Sequence, residues 1–161
     1  MIELLARLFA RGEPVLSEAQ PRDAVAIAAL HAVSFNRGWS EEEIDRLLID
    51  RQVVTHRAAI GTRFAGFIMS RMAADEAEIL SVAVTPARRG RGVARRLLDM
   101  HLRRLAGLGV RVVFLEVGEQ NDAARKLYRR ASFREAGRRE GYYVDFAGKR
   151  SAALVLRRNL Q

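Results

Sequence analysis

Val82-Ala83-Val84-Thr85-Pro86-Ala87-Arg88-Arg89-Gly90-Arg91-Gly92-Val93-Ala94-Arg95 is the stretch that decides how the rest of the chain is read. An apolar run stops at Pro86, a turn rich in arginine and glycine follows, and a helical pattern begins. Ala94, Leu97, Leu98, His101, Leu105 and Leu108 fall on one helical face, and Gly109 is placed to stop that helix. The upstream run, Ala77 to Thr85, is apolar at Ile79, Leu80, Val82, Ala83 and Val84, so its strand is covered on both faces and central. A buried strand turning into a helix sets the helix's unpaired N–H groups and positive dipole end at the rim of the sheet. Two glycines there remove the side chains that would hold an anion off the backbone, and the arginines add point charge. A diphosphate suits such a seat. The same residues also satisfy a plain strand-turn-helix. The turn is not a Walker A loop, which needs Gly-Lys-Ser/Thr, and its spacing is wrong for a dinucleotide fingerprint.

Working outward, Val15 to Ala19 reads as a short strand. Asp23 is placed to cap a helix with Ala24, Ile27, Ala28 and His31 on its inner face. Ser40-Glu41-Glu42-Glu43 is a capping box ahead of Ile44, Leu47 and Leu48. Val53 to Ile60 and Phe64 to Ser70 form a hairpin across Gly61-Thr62-Arg63. Beyond the long helix, Val110 to Val117 is another apolar strand. Asn121 caps a helix with Ala124, Leu127, Tyr128 and Ala131 on one face, and two strands follow near Phe133 to Tyr142 and Arg150 to Arg157. The order β-α-α-β-β-β-α-β-α-β-β makes an α+β arrangement on a mixed sheet with one parallel crossover. Residues 1–14, where Ile2, Leu5, Leu8 and Phe9 share a helical face, form an amphipathic lead-in. Residues 15–161 form the single domain.

Composition narrows the function. With 161 residues, 49% hydrophobic and 29% charged, the chain can build one substantial core and is neither disordered nor membrane-spanning by composition. Charge inside the N-terminal apolar run makes a poor secretory signal, and the default location is the cytoplasm. The absence of cysteine excludes disulfides, thiolate nucleophiles and cysteine-zinc sites. His31 and His101 fall on apolar helix faces and His56 in a strand, without His/Asp/Glu clustering at ligand spacing, so all three read as core or solvent-edge packing residues and no metal site is expected. The net charge is +9, and only Lys126 and Lys149 among the 28 basic residues are lysine. Such a ratio fits genomic base composition, yet its field attracts a phosphorylated cofactor or RNA.

Arg89-Gly90-Arg91-Gly92-Val93-Ala94 resembles the Gln/Arg-x-x-Gly-x-Gly/Ala signature of the GCN5-related N-acetyltransferase superfamily. Within it, the chain is similar to the RimI-type alanine N-acetyltransferases of bacterial ribosomal protein. Ala77–Val84, Leu115-Glu116-Val117, Asn121 with Ala123-Ala124, Leu127-Tyr128 and Gly141-Tyr142-Tyr143 carry that similarity. The resemblance implies a three-layer fold with a splayed central sheet, acetyl-coenzyme A as co-substrate, and the N-terminal amine of a ribosomal protein as acceptor. It implies that Arg89, Gly90, Arg91, Gly92, Val93, Ala94 and Arg95 hold the pyrophosphate. The backbones of Val82, Ala83 and Val84 and the amide of Asn121 would hold the pantetheine arm or the acetyl carbonyl. Glu116 would accept the amine proton and Tyr128 would protonate the thiolate. Trp39, Tyr142 and Tyr143 would border the acceptor. Each has a plainer reading: an arginine-paired carboxylate for Glu116, core filling for Tyr128, capping for Asn121. The family's usual Leu-Tyr-x-x-Leu-Gly-Phe stands here as Leu127-Tyr128-Arg129-Arg130-Ala131-Ser132-Phe133, with serine where glycine ends the helix.

A different acceptor amine, such as a lysine side chain, a polyamine or an antibiotic, would use the same donor. A third reading, a non-catalytic RNA- or ribosome-binding module, draws on the charge and on Arg129, Arg130, Arg134, Arg138 and Arg139. It lacks the interleaved exposed aromatics of single-strand binders. The favoured expectation is a monomeric enzyme with neither membrane nor specific nucleic-acid partners.

Overall fold

The computed structural model describes residues 12–144 and 147–160. The amphipathic lead-in expected before Pro14 lies almost wholly outside them; its last part is tied to the body where Glu13 pairs with Arg96. The elements are β1 (Val15–Glu18), α1 (Ala24–Ser34), α2 (Glu41–Ile49), β2 (Val53–Ile60), β3 (Arg63–Ala73) and β4 (Glu76–Val84). There follow α3 (Val93–Gly107), β5 (Val112–Gly118), α4 (Asp122–Arg130), β6 (Arg134–Val144) and β7 (Arg150–Asn159). Their order is the one the sequence implies.

The seven strands form one sheet in the order β1-β2-β3-β4-β5-β7-β6, antiparallel except for β4 and β5. The apolar runs sort onto its two faces. Ile27, Leu30, Ile44, Phe67, Met69 and Ala83 build a core under α1 and α2. Leu97, Leu98, Leu105, Ile79, Val113, Leu115 and Tyr128 build the larger core under α3 and α4. This makes three layers with β4 in the middle, as a strand apolar on both faces requires.

A β-bulge positions the site. Pairing of β3 with β4 steps from Met69↔Ser81 to Ser70↔Ile79, leaving Leu80 as the extra residue. The face under α3 therefore takes Ala77 and Ile79 before the bulge and Val82 and Val84 after it. Parallel pairing of β4 with β5 also ends here, at Ile79↔Leu115. Beyond that pair Leu80–Val84 and Glu116–Gly118 diverge, and a cleft opens between them.

Local chemistry matches the expected caps with one exception. Ser40 and Glu43 form the capping box, Glu43 N–H donating to Ser40 Oγ (3.2 Å) and Ser40 N–H to Glu43 Oε2 (2.7 Å). Asp23 instead accepts from the N–H of Gln20 (2.8 Å) and pairs with Arg57 (3.3 Å); its carboxylate makes no cap bond to α1. A short 3₁₀ turn, Pro21–Asp23, precedes the helix and turns that carboxylate back on itself.

At the end of α4 the N–H of Phe133 donates to the carbonyl of Tyr128 (3.0 Å) and that of Ser132 to Arg129 (3.0 Å). This is a Schellman ending with Ser132 at φ +63°, the left-handed region that glycine adopts freely. Ser132→Gly is expected to raise the unfolding free energy by about 1 kcal/mol, visible as a higher urea midpoint at unchanged slope. An unchanged midpoint would show that the loop already relaxes the strain.

His56 and His101, read as packing residues, are buried together. Their Nδ1 atoms lie 2.7 Å apart, and His101 Nε2 lies 2.7 Å from Ser70 Oγ. Burial, then the neighbouring His56, pushes His101 down to about 3, so this network is neutral and structural.

Candidate active site

The cleft between β4 and β5 has three walls. The first is β4 itself. Thr85 N–H bonds to Ala65 on β3 (2.9 Å), and backbone groups alternate along a strand. The N–H groups of Val82 and Val84 consequently turn away from β3, toward the cleft, while those of Ala83 point to β3. The Val84 carbonyl on the cleft side accepts from Arg89 Nε (3.0 Å), which ties the loop to the strand. Gly66 on β3 allows this: a Cβ there would stand 2.7 Å from the Ala83 carbonyl oxygen.

The second wall is the start of α3. Gly90 (φ +70°) and Gly92 (φ +80°) are both left-handed, and a Cβ built on either meets nothing within 4 Å. Glycine is needed here by backbone conformation, and its bareness leaves open space in front of the loop. Gly92 is the N-cap and has no side chain to bond the helix start, and the first helical bond is Arg96 N–H to Gly92 (3.1 Å). The N–H groups of Val93, Ala94 and Arg95 precede it and supply uncapped donors, with exposed Arg89, Arg91 and Arg95 around them. Arg95 pairs loosely with Asp99 (3.9 Å). A diphosphate fits this concavity by charge, donor set and room.

The third wall is the end of β5 with the β6–β7 hairpin. Glu116 is partly buried and ion-paired to Arg139 (3.1 Å), the plain reading of this carboxylate. The Arg139 guanidinium also lies 5.4 Å from the ring centroid of Tyr142, which meets Tyr143 edge-on at 5.3 Å. Tyr143 rests on Gly118, where an added Cβ would stand 3.6 Å from its ring. Burial, then Glu116 and Tyr142, pushes the Tyr143 phenol above its ordinary range. Tyr128 is 7% exposed and packs edge-on against Phe133 (5.6 Å), the apolar contact that accompanies a Schellman ending. Burial raises its phenol strongly, and Tyr143 raises it further. Tyr143 thus lies within electrostatic reach of both Glu116 and Tyr128. Asn121 caps α4 through Oδ1, which accepts from Ala124 N–H (3.2 Å).

Trp39 is half-buried in the loop between α1 and α2. Its ring stacks on His31 (4.3 Å, 14° between planes), and the Trp39 backbone N–H donates to His31 Nδ1 (3.1 Å). That loop reaches the hairpin where Asn36 Nδ2 donates to the Val144 carbonyl (3.3 Å). Trp39 therefore braces the loop opposite Tyr142 and Tyr143. Sequence reasoning named Arg139 only within a basic cluster, not as a partner of Glu116, and did not single out Gly118 or Glu119. Glu119 accepts from the Ala152 N–H (2.9 Å) and from Arg138 (2.6 Å), fastening the hairpin to β5. Among the described residues no His/Asp/Glu cluster could hold a metal, and no helix is long and apolar enough to cross a membrane.

The mixed sheet parts beyond its one parallel pair, and the strand on one side of the parting runs into a glycine-rich helix start with free N–H groups. The chain belongs to the GNAT family of acetyltransferases, whose model matches residues 24–133. It is 35% identical over 142 residues to the N-alpha-acetyltransferase RimI of Mycobacterium tuberculosis, covering 81% of this chain and 85% of that one. It is 36% identical over 93 residues to the ribosomal protein bS18-alanine N-acetyltransferase of Salmonella typhimurium. That match covers 58% of this chain and 63% of the Salmonella protein, just under two thirds of its length. The crystal structure of the ribosomal-protein-S18-alanine N-acetyltransferase from Escherichia coli superposes with a TM-score of 0.86 at 26% identity, over 92% of this chain and 95% of that one.

Proposed function

We propose that this chain transfers the acetyl group of acetyl-coenzyme A to the α-amino group of an N-terminal alanine on a ribosomal protein. The observation that supports the reading is that the hairpin folds Tyr143 back onto Gly118 of β5, within reach of both Glu116 and Tyr128, on the arm of the sheet across from the turned-out backbone of β4. The family and the named relatives support the donor and the acceptor class. An α-amino group titrates near ~8, so it needs only a modest base to become neutral.

In the proposed reaction the amine nitrogen attacks the thioester carbonyl, the C–N bond forms and the C–S bond breaks. The N–H groups of Val82 and Val84 are preset donors for the negative charge that develops on the carbonyl oxygen. Glu116, directly or through water, takes the proton the amine loses. Tyr128, whose phenol burial keeps protonated, delivers one to the departing thiolate. The uncapped start of α3 and its arginines bind the diphosphate, and Asn121 keeps its Nδ2 donor for the pantetheine arm. Trp39, Tyr142 and Tyr143 line the approach of the acceptor. The setting is the cytoplasm, where ribosomal proteins are made.

Purified enzyme with acetyl-coenzyme A should acetylate a peptide that begins with alanine and carries a ribosomal-protein N-terminal sequence. It should leave an N-blocked, lysine-containing peptide unmodified, with the site read by fragment mass spectrometry. Acetylation of the lysine in preference to the α-amine would overturn the acceptor assignment.

Gly92→Val is expected to weaken acetyl-coenzyme A binding at least about tenfold by calorimetry, because its side chain would enter the open space before the helix start. At φ +80° valine also strains the backbone, by about 1–2 kcal/mol, so the folded fraction should be followed by circular dichroism. Unaltered affinity in a folded variant would remove the diphosphate from this loop.

A further inference from the structure

The positive charge is not spread evenly. Residues 1–122 contain seventeen basic and sixteen acidic side chains, a net +1. From Ala123 to Gln161 there are eleven basic and three acidic, a net +8 of the chain's +9. A bias of base composition toward arginine would raise both parts. Instead the excess sits on α4, β6 and β7, one arm of the splayed sheet.

Within that arm, Arg129, Arg130, Arg134 and Arg157 are exposed, and among the described residues none of the four has an acidic partner. Arg134 and Arg157 are direct cross-strand neighbours on β6 and β7. Like charges in that relation cost stability unless an anion lies over them. Beside them a groove of about 400 Å³ is lined by Arg134, Arg157 and Arg158 together with Ser132 and Glu135. Arg158 donates to the Ala131 carbonyl (2.6 Å), which fixes that wall. Planar guanidinium groups on a firm strand pair match the oxygens of a phosphate backbone. From Arg129 to Arg134 the only large apolar side chain is Phe133, and it is buried, so the patch offers nothing to insert into a lipid surface.

We propose that the arm formed by α4, β6 and β7 docks on the phosphate backbone of structured RNA, without reading its sequence, through Arg129, Arg130, Arg134 and Arg157. The assignment rests on the charge distribution and not on the acceptor's identity. It gives the enzyme a second hold on a particle in which protein termini lie against RNA.

The test uses the full chain and an RNA hairpin of about 16 base pairs, followed by fluorescence anisotropy at several salt concentrations. Wild type should bind, and lose on the order of 100-fold in affinity between about 50 and 200 mM salt. Arg134→Gln/Arg157→Gln and Arg129→Gln/Arg130→Gln should each weaken binding at least tenfold and lower the log–log salt slope by about two. Arg46→Gln/Arg63→Gln, on the other arm, should leave binding unchanged. Acetylation of a free alanine peptide should be unaffected in every variant, which separates this outcome from the fate of the catalytic reading. No binding, a salt-independent affinity, equal losses in the control pair, or tighter binding to phosphatidylglycerol vesicles than to the hairpin would each overturn the proposal.

Discussion

Tyr128→Phe is expected to lower kcat by about 10²-fold or more while changing the KM for acetyl-coenzyme A little. The substitution removes one oxygen and keeps the ring, so the edge-on contact with Phe133 and the Schellman ending survive. What it removes is the phenol proposed as the proton source. Burial pushes this phenol well above its ordinary value of 10, so it stays protonated throughout an assay from pH 6 to pH 9.5. Its loss should therefore appear as a deficit independent of pH over that range. Thiol release followed under saturating peptide checks both points. An unchanged kcat would leave Tyr128 as core packing alone, and a rise confined to KM would make it a positioning residue.

What the chain reveals without its structure divides along a physical line. Features encoded within a few residues were legible: the capping box at Ser40, the Asn121 cap, and the glycine-rich helix start. Even the misfit at Ser132 was visible, because a left-handed helix ending is a local demand. Features that depend on distant pairings were not. β7 lies between β5 and β6, although β6 comes first in sequence, because pairing partners are chosen across the sheet. Nothing in Glu78-Ile79-Leu80-Ser81 marks Leu80 as the bulged residue, yet that bulge turns Val82 and Val84 and coincides with the opening of the cleft. The site divides in the same way. Glu116 and Tyr128 are candidates that their sequence blocks suggest, whereas Arg139, which holds Glu116, and Gly118, which seats Tyr143, become partners only when the hairpin folds back. Two histidines on apolar helix faces and one in a strand gave no sign that His56 and His101 would meet.

Glu116→Gln tests the base and the acceptor together. The variant keeps side-chain size but removes the charge that faces Arg139, so some loss of order in the hairpin accompanies the loss of the proposed base. That structural part does not depend on the protonation of the acceptor amine, and the catalytic part does. Below the amine's pKa, near ~8, most acceptor arrives protonated and the enzyme must remove a proton, so the variant should fall behind by about 10²–10⁴-fold. Above that pKa the amine is already neutral, and the deficit should shrink toward whatever the broken ion pair costs. With a lysine acceptor the same recovery would wait until pH values above ~10.4. Arg139→Gln supplies the control: it breaks the ion pair from the other side while keeping the carboxylate, and its deficit should stay flat across the same range. Measured as the ratio of wild-type to variant kcat/KM from pH 6 to pH 9.5, a falling ratio for Glu116→Gln beside a level one for Arg139→Gln assigns proton removal to Glu116. Two level ratios would reduce Glu116 to an anchor for Arg139.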